Sequence, residues 1–399
     1  MNPWLRSRLY VVAFAALLCG RAAAAKDQTE AVSRDASHVI GSIHGTGAWV
    51  AVYGDGDYAI TSPAMTGTVI RSGVEAELDS RVLKSSDYPT HNAVQSTFHD
   101  DLGMGSALTV THTGLAGMPD LICTLRLYSD QAWGEIEVKV VNTTDRIASV
   151  SSIRALHVTR GPVVSLNGPE SADRILSDSF SEDRPQLAIR DLGSAPKGMH
   201  RAVGSQLIFN RRSGQSLFLG ALTSDRLLTI FHLKEQAAGT GAKILSYEVA
   251  ATGTTEILKG ESLKDSPASE QVTLNLPVNP GESLSSERLM FAVGADYHAQ
   301  LEQYGRTVRL LHNARVSGAT PIGWWSWTAY YFGLSQGSAG TNAAWLGENL
   351  KKLGYTYFQI DEGYQYARGE YTTADAQLFP LGIGHIADVV RHDGLTFGL

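Results

Sequence analysis

The chain has 399 residues, 43% of them hydrophobic and 18% charged, with 40 Asp and Glu against 33 Lys and Arg for a formal net charge of −7. This is the composition of an ordinary globular protein, long enough for two or three domains with sizeable cores. The negative balance argues against nucleic acid as a partner and for a neutral one.

Arg6 and Arg8 precede an apolar run from Tyr10 to Cys19, which is followed by Ala22, Ala23, Ala24 and Ala25. That order predicts a signal peptide over residues 1–25, cleaved near Lys26, and hence a secreted or periplasmic protein. The run is too short to span a bilayer, and no other stretch approaches the ~20 apolar residues a transmembrane helix needs. No membrane partner is expected once the leader is removed. Leu17 and Leu18 stand before Cys19 where a lipid-modified cysteine follows small residues, so Cys19 reads as part of the leader's apolar core. Cleavage would remove Arg6, Arg8 and Arg21, leaving 30 Lys and Arg against 40 Asp and Glu, a net −10. Cys123 would then have no intrachain partner, so stability must rest on core size.

From about residue 37 to 295 short alternating segments are separated by Gly, Asp, Asn and Pro, the pattern of antiparallel sheet. The segments are Ala48 to Tyr53, Ala107 to Thr113, Leu121 to Tyr128, Trp133 to Thr143, Val150 to Val158, Gln206 to Phe209, Ser216 to Leu222 and Gln271 to Leu276. In the clearest, Ile136, Val138 and Val140 point inward and Glu135, Glu137 and Lys139 outward, before Asn142-Thr143-Thr144 supplies turn chemistry. The same three residues form a glycosylation sequon in a host that glycosylates. His99, Asp100 and Asp101 run directly into Gly103 and read as a strand-end turn rather than a metal site. With no strong helical run among these segments, two packed sheets are the economical solution, a β-sandwich.

The period changes at Leu301, Tyr304, Val308 and Leu311, one apolar helical face within a linker over residues 296–320. Beyond Pro321 the segments alternate: strand Ile322 to Trp327, helix Thr341 to Leu353 with Leu346, Leu350 and Leu353 inward, strand Tyr355 to Ile360, helix Ile383 to Arg391, and strand Leu395 to Leu399. Gly354 and Gly394 are placed to stop the two helices. This βαβαβ order requires a parallel sheet. The 79 residues of 321–399 compare with ~250 in a complete (β/α)8 TIM barrel, so the expectation is an incomplete barrel.

In parallel α/β folds ligands bind where the strands' C-terminal ends open into loops. The first strand ends in Trp324-Trp325-Ser326-Trp327 and the second in Asp361-Glu362-Gly363-Tyr364, so both open on one rim. Adjacent carboxylates raise one another's pKa unless a partner intervenes, and sugar hydroxyls are suitable partners. Indole or phenol rings can cover the apolar face of a pyranose, so the mixture suits carbohydrate. Trp324 and Trp325 serve equally well as packing within such a sheet, and Glu362 as a solvated rim residue.

The motifs Pro321-Ile322-Gly323-Trp324-Trp325-Ser326-Trp327, Leu353-Gly354, Phe358-Gln359-Ile360-Asp361-Glu362-Gly363-Tyr364, Phe379-Pro380-Leu381-Gly382 and Gly394-Leu395-Thr396-Phe397-Gly398-Leu399 resemble the opening of α-galactosidases of glycoside hydrolase family 36 and the related family 27, clan D. A sandwich before a barrel, and a looser likeness at His99 to Ser106, favour family 36. The resemblance implies hydrolysis with retention by two carboxylates ~5 Å apart, expected beyond Leu399, so that the chain alone is expected to be inactive. It also implies that Trp327 lines the sugar pocket and that Asp361 and the acid after it bind O4 and O6 of galactose, with Trp325 and Tyr364 beside them. Glu362 stands where the family has Asp, and Tyr364 where it has Trp. The extra methylene of Glu362 predicts less room around C6 and a preference for a pentopyranoside such as a β-L-arabinopyranoside. The expected partner is an α-galactoside oligosaccharide or polysaccharide, with self-association left open and no cofactor or metal assigned. The alternative from another class is a non-catalytic carbohydrate-binding protein.

Overall fold

The computed structural model describes residues 38–178, 187–236, 241–253, 275–316, 318 and 320–399. The leader expected over residues 1–25, and all but the last two residues of the strand expected from Gln271 to Leu276, lie outside the described residues. The chain divides into two compact units, 1–314 and 315–399. Among the described residues no helix is long and apolar enough to cross a membrane.

Among the described residues the first unit holds two ten-stranded antiparallel sheets. One runs Val39–His44, Trp49–Tyr53, Tyr58–Thr61, Thr68–Leu78, Ala148–Val158, Lys243–Thr252, Leu228–Gln236, Met199–Val203, with Arg81–Lys84 and Leu276–Val278 beside it. The other runs Ala188–Asp191, Asp173–Ser177, Ser205–Asn210, Ser216–Ala221, Leu289–Gly294, Trp133–Val141, Asp120–Tyr128, Gly103–Thr113, Thr90–Asp100, with Ser283–Ser285 alongside. Their apolar faces share one core, containing Val50, Ile60, Ile153 and Tyr247 from the first sheet and Leu125, Val138, Leu217 and Phe291 from the second. Each buried aliphatic side chain of this kind stabilises the fold by about 1.5–3 kcal/mol.

Period-two alternation fixes these faces, and the strand Trp133–Val141 shows both its reach and its limit. Ile136, Val138 and Val140 are fully buried as expected, but so is Glu135, which the alternation placed outward in solvent. Arg288 Nη2 and Tyr128 Oη donate to Glu135 Oε1 at 2.6 and 2.8 Å, and Arg288 Nε donates to Oε2 at 3.1 Å. Alternation assigns a face, whereas exposure depends on what neighbouring strands lay over it.

Two turns follow their expected chemistry. Asp100 Oδ1 accepts from Leu102 N at 3.0 Å, closing the hairpin after the strand Thr90–Asp100. Asn142 Oδ1 accepts from Thr144 N at 3.1 Å. The Asn142 amide is itself buried, donating to Arg146 O and Val278 O, so the sequon's nitrogen is committed to the backbone.

The helix Tyr297–Leu311 begins four residues before the apolar period, because Asp296 caps it by accepting from Ala299 N at 2.9 Å. Leu301, Tyr304, Val308 and Leu311 pack against Phe218 and Met290 of the second sheet and against Leu222 just after it, which makes the helix part of this unit.

The second unit has a three-stranded parallel sheet in the order Gly323–Trp325, Tyr357–Gln359, Thr396–Gly398. The helices Gln336–Asn349 and Gly382–His392 connect the strands in sequence. The second helix matches its expected range within a residue at each end. The first starts five residues early, where Ser335 Oγ accepts from Ser338 N, and closes in a 3-10 turn over Lys351–Leu353 before Gly354 at φ 95°. Leu346 is buried as expected, but Leu353 is exposed because the tighter turn rotates it off the apolar face. A hairpin of Gln365–Ala367 and Glu370–Ala374, absent from the sequence reading, follows the second strand. Its signal is Gly369 at the turn, at φ 88°.

Candidate carbohydrate site

The first and second parallel strands are stitched together at their C-terminal ends by Ser326. Its backbone N–H donates to Gln359 O at 3.1 Å, and its Oγ accepts from Asp361 N at 2.8 Å. Ser326 is fully buried and was not singled out from the sequence. The available signal was a small hydroxyl residue between two tryptophans at a strand end, where a side chain must satisfy backbone groups that the sheet leaves open.

That stitch fixes Asp361. Trp325 Nε1 donates to Asp361 Oδ2, and Oδ1 accepts from Glu362 N at 2.6 Å. Both carboxylate oxygens therefore meet neutral donors. Each has lone-pair capacity for a further hydroxyl. Glu362 Oε1 lies 3.2 Å from Arg368 Nε, whose side chain is 70% exposed at the hairpin turn. The two adjacent acids thus have different partners, one neutral and one cationic.

The backbone turns away through Gly363 at φ 102°, where a Cβ would come within 2.7 Å of Phe332 Cα. Glycine is required there both by conformation and by the close approach of the aromatic segment. Tyr331, at φ 48°, and Phe332 meet the Trp327 ring edge-on at centroid distances of 5.2 and 5.1 Å. Trp327 therefore stands in an aromatic group whose backbone contacts the Asp361-Glu362-Gly363 turn.

The ambiguity between the neighbouring tryptophans is resolved by their contacts. Trp324 stacks on Phe358 at 4.4 Å with 14° between planes, inside the unit's core, whereas Trp325 is 43% exposed and bonded to Asp361. Tyr364 lies in the core with Phe358, Ile360 and Phe379, and its hydroxyl donates to Tyr371 O at 3.3 Å. Burial raises its phenol pKa. The structure thus brings Trp325, Asp361 and Glu362 together on the rim, sets Trp327 beside them through Phe332, and turns Tyr364 inward. Accessible carboxylate oxygens beside exposed aromatic faces form a surface able to accept hydroxyl donors and cover C–H groups.

No protein-family model matches this chain. It is 34% identical over 86 residues to an α-galactosidase of Saccharomyces paradoxus, covering 21% of this chain and 18% of that protein. It is 38% identical over 88 residues to an α-galactosidase of Oryza sativa subsp. japonica, covering 21% of each. Among solved structures, the family 36 α-galactosidase AgaA from Geobacillus stearothermophilus superimposes with a TM-score of 0.56 at 11% identity, over 90% of this chain and 56% of that one. The α-galactosidase of Lactobacillus brevis gives 0.54 at 13%, over 90% and 54%. A raffinose complex of a Geobacillus family 36 α-galactosidase variant gives 0.50 at 12%, over 85% and 46%. The chain spans about a fifth of the curated relatives it matches and about half of the solved structures. In sequence it is similar to α-galactosidases over that fifth, and in fold to the α-galactosidases of glycoside hydrolase family 36.

Proposed function

We propose that this chain is part of an exported, retaining glycoside hydrolase that releases terminal α-D-galactosyl residues. In this reading residues 321–399 are the opening of its (β/α)8 barrel and the Asp361 rim is part of its sugar pocket. The observation that carries it is Asp361 at the end of a parallel strand, held by the Trp325 indole and the Ser326 hydroxyl with oxygens facing neutral donors. Asp361 and Glu362 accept the hydroxyls of the galactosyl ring, and Trp327 covers its apolar face. Trp325 orients Asp361, and Tyr364 supports the turn from within. The attacking carboxylate and the acid that protonates the leaving oxygen are a separate pair ~5 Å apart. Asp361 serves recognition and is not that nucleophile. The substrates are α-galactosides of the raffinose kind, and the protein acts outside the cytoplasm after losing residues 1–25.

Turnover of 4-nitrophenyl α-D-galactopyranoside by the enzyme this chain belongs to, with and without Asp361→Asn, is the test. Galactose release lost on substitution supports the reading, and release of no sugar from any α-galactoside sinks it. A second reading, preference for a β-L-arabinopyranoside, is favoured by Glu362, whose extra methylene, where the family has Asp, leaves less room around C6. The corresponding nitrophenyl arabinopyranoside, measured beside the galactoside, separates the two.

A further inference from the structure

The face of the first sheet turned away from the shared core carries a cleft of about 590 Å³, within the ~300–1,000 Å³ of small-molecule sites. Its lining alternates with core residues: Ile230 and His232 with Phe231 and Leu233, and Glu248 and Ala250 with Tyr247 and Val249. At its centre is Arg154, on the strand between Thr68–Leu78 and Lys243–Thr252. Arg154 Nη2 donates to Glu77 Oε2 at 3.1 Å and Nε donates to Glu248 Oε2 at 3.1 Å. One planar guanidinium therefore hydrogen-bonds two carboxylates, one on each flanking strand, through a single oxygen of each, and its Nη1 also lies 3.8 Å from Glu75 Oε2.

Glu77 and Glu248 are 34% and 24% exposed, so they remain accessible as oriented acceptors. The backbone clamps one wall further, with Ser151 Oγ donating to Glu77 O at 3.3 Å and Asp79 Oδ1 accepting from Ser149 N at 3.2 Å. Ile230 and Ala250 supply an apolar floor.

The charge of this cleft selects its ligand. Glu77, Asp79 and Glu248 outnumber Arg154, which disfavours an anion, while the central guanidinium disfavours an ammonium group. The described residues contain no group of three or more side chains arranged to hold a metal ion. What remains complementary is a neutral molecule with several hydroxyls on one side and C–H groups on the other. We propose that the cleft is a second sugar-binding site, which takes a neutral pyranose ring by its hydroxyls on Glu77, Glu248 and Arg154 and by its apolar face on Ile230 and Ala250. This inference does not rest on the Asp361 rim.

The experiment is saturation-transfer NMR of the full 399-residue chain with raffinose, in four forms: unaltered, Asp361→Ala, Asp361→Ala with Ser151→Trp, and Asp361→Ala with Glu248→Gln. Raffinose binding is expected to persist in Asp361→Ala, to weaken at least tenfold when the tryptophan fills the cleft, and to weaken severalfold with the near-isosteric glutamine. Thermal unfolding followed by circular dichroism identifies any form that has not folded, and Glu248→Gln preserves the test if Ser151→Trp is such a form. Loss of all raffinose binding in Asp361→Ala overturns the cleft and leaves the rim standing. Binding in the Asp361→Ala background that stays within twofold after the cleft substitutions also overturns it. An unaltered chain that does not bind raffinose at all overturns both.

Discussion

Glu135 and Asp361 are both acids whose oxygens are occupied, but their partners are opposite in kind. Glu135 is fully buried in the second sheet, held by Arg288 at 2.6 Å and Tyr128 at 2.8 Å, with Arg126 at 3.5 Å. Asp361, at the strand-end rim, meets an indole N–H and a backbone N–H, with no cation among the described residues on it. On the proposed reading, the difference separates structure from recognition. Full charges neutralise an acid that the fold must keep out of water, whereas neutral donors orient an acid without spending its charge, leaving it able to accept a ligand's hydroxyls.

The comparison breaks first at Glu135. Glu135→Ala leaves Arg288 and the Tyr128 hydroxyl facing a void, and breaking such a pair costs about 3–5 kcal/mol. Urea denaturation should show the midpoint fall accordingly, and a loss under 1 kcal/mol would remove the contrast with Asp361.

A third kind of occupied group sharpens the point, a buried pair of imidazoles. His91 and His112 face each other through Nδ1 atoms 2.9 Å apart in the first unit's core. Burial, and then the neighbouring His91, push the His112 pKa down to about 3. Its unfolded value is ~6.5, so the unfolded chain binds the extra proton first. The stability from keeping His112 neutral is present in full above pH ~6.5 and is lost progressively as the pH falls toward 3. At pH 4 this amounts to roughly 3 kcal/mol at 1.36 kcal/mol per unit. Unfolding measured from pH 7 to pH 4 should show that slope, and His112→Leu should flatten it.

At the rim the expected effects are reversed. Asp361→Asn should change stability by less than about 1 kcal/mol, because its partners are neutral and the site lies at the surface. Sugar recognition should fall by about 1.5–3 kcal/mol, the range of a hydrogen bond to a charged group, or roughly 10- to 100-fold in affinity. Chemical denaturation and galactoside binding on the same variant decide it. An unfolded Asp361→Asn protein would make Asp361 a structural acid like Glu135.

Much of this contrast was legible in the sequence, for identifiable reasons. The strand Trp133–Val141 from Ile136 onward and the helix Gly382–His392 follow from periodicity, because each buries one face there. Asp361 and Glu362 were legible because a strand end has a fixed place in a parallel sheet. Glu135 was not, since its partner Arg288 is 153 residues away and no local pattern announces it. Trp325 and Tyr364 were both expected beside the sugar, but only Trp325 stays exposed, while Tyr364, just after the Gly363 turn, is buried in the core. Ser326 acts through its hydroxyl on a backbone amide 35 residues later, a contact set by strand pairing rather than spacing.

The smallest expected effect lies at Glu362, where the contrast between charged and neutral partners runs within a single dipeptide. Its ion pair with Arg368 at 3.2 Å joins a part-exposed acid to a mostly exposed cation, so it contributes about 0.2–1 kcal/mol at most. Arg368→Met should leave the denaturation midpoint almost unmoved while freeing Glu362 to turn toward the sugar. If the salt bridge draws the longer acid away from C6, its removal narrows the room there. The ratio of α-galactopyranoside to β-L-arabinopyranoside turnover should then fall by about two- to threefold, as expected for a fraction of a kcal/mol. An unchanged ratio with unchanged stability would show that Glu362 is positioned by the Gly363 turn alone, and Arg368 would have no part in specificity.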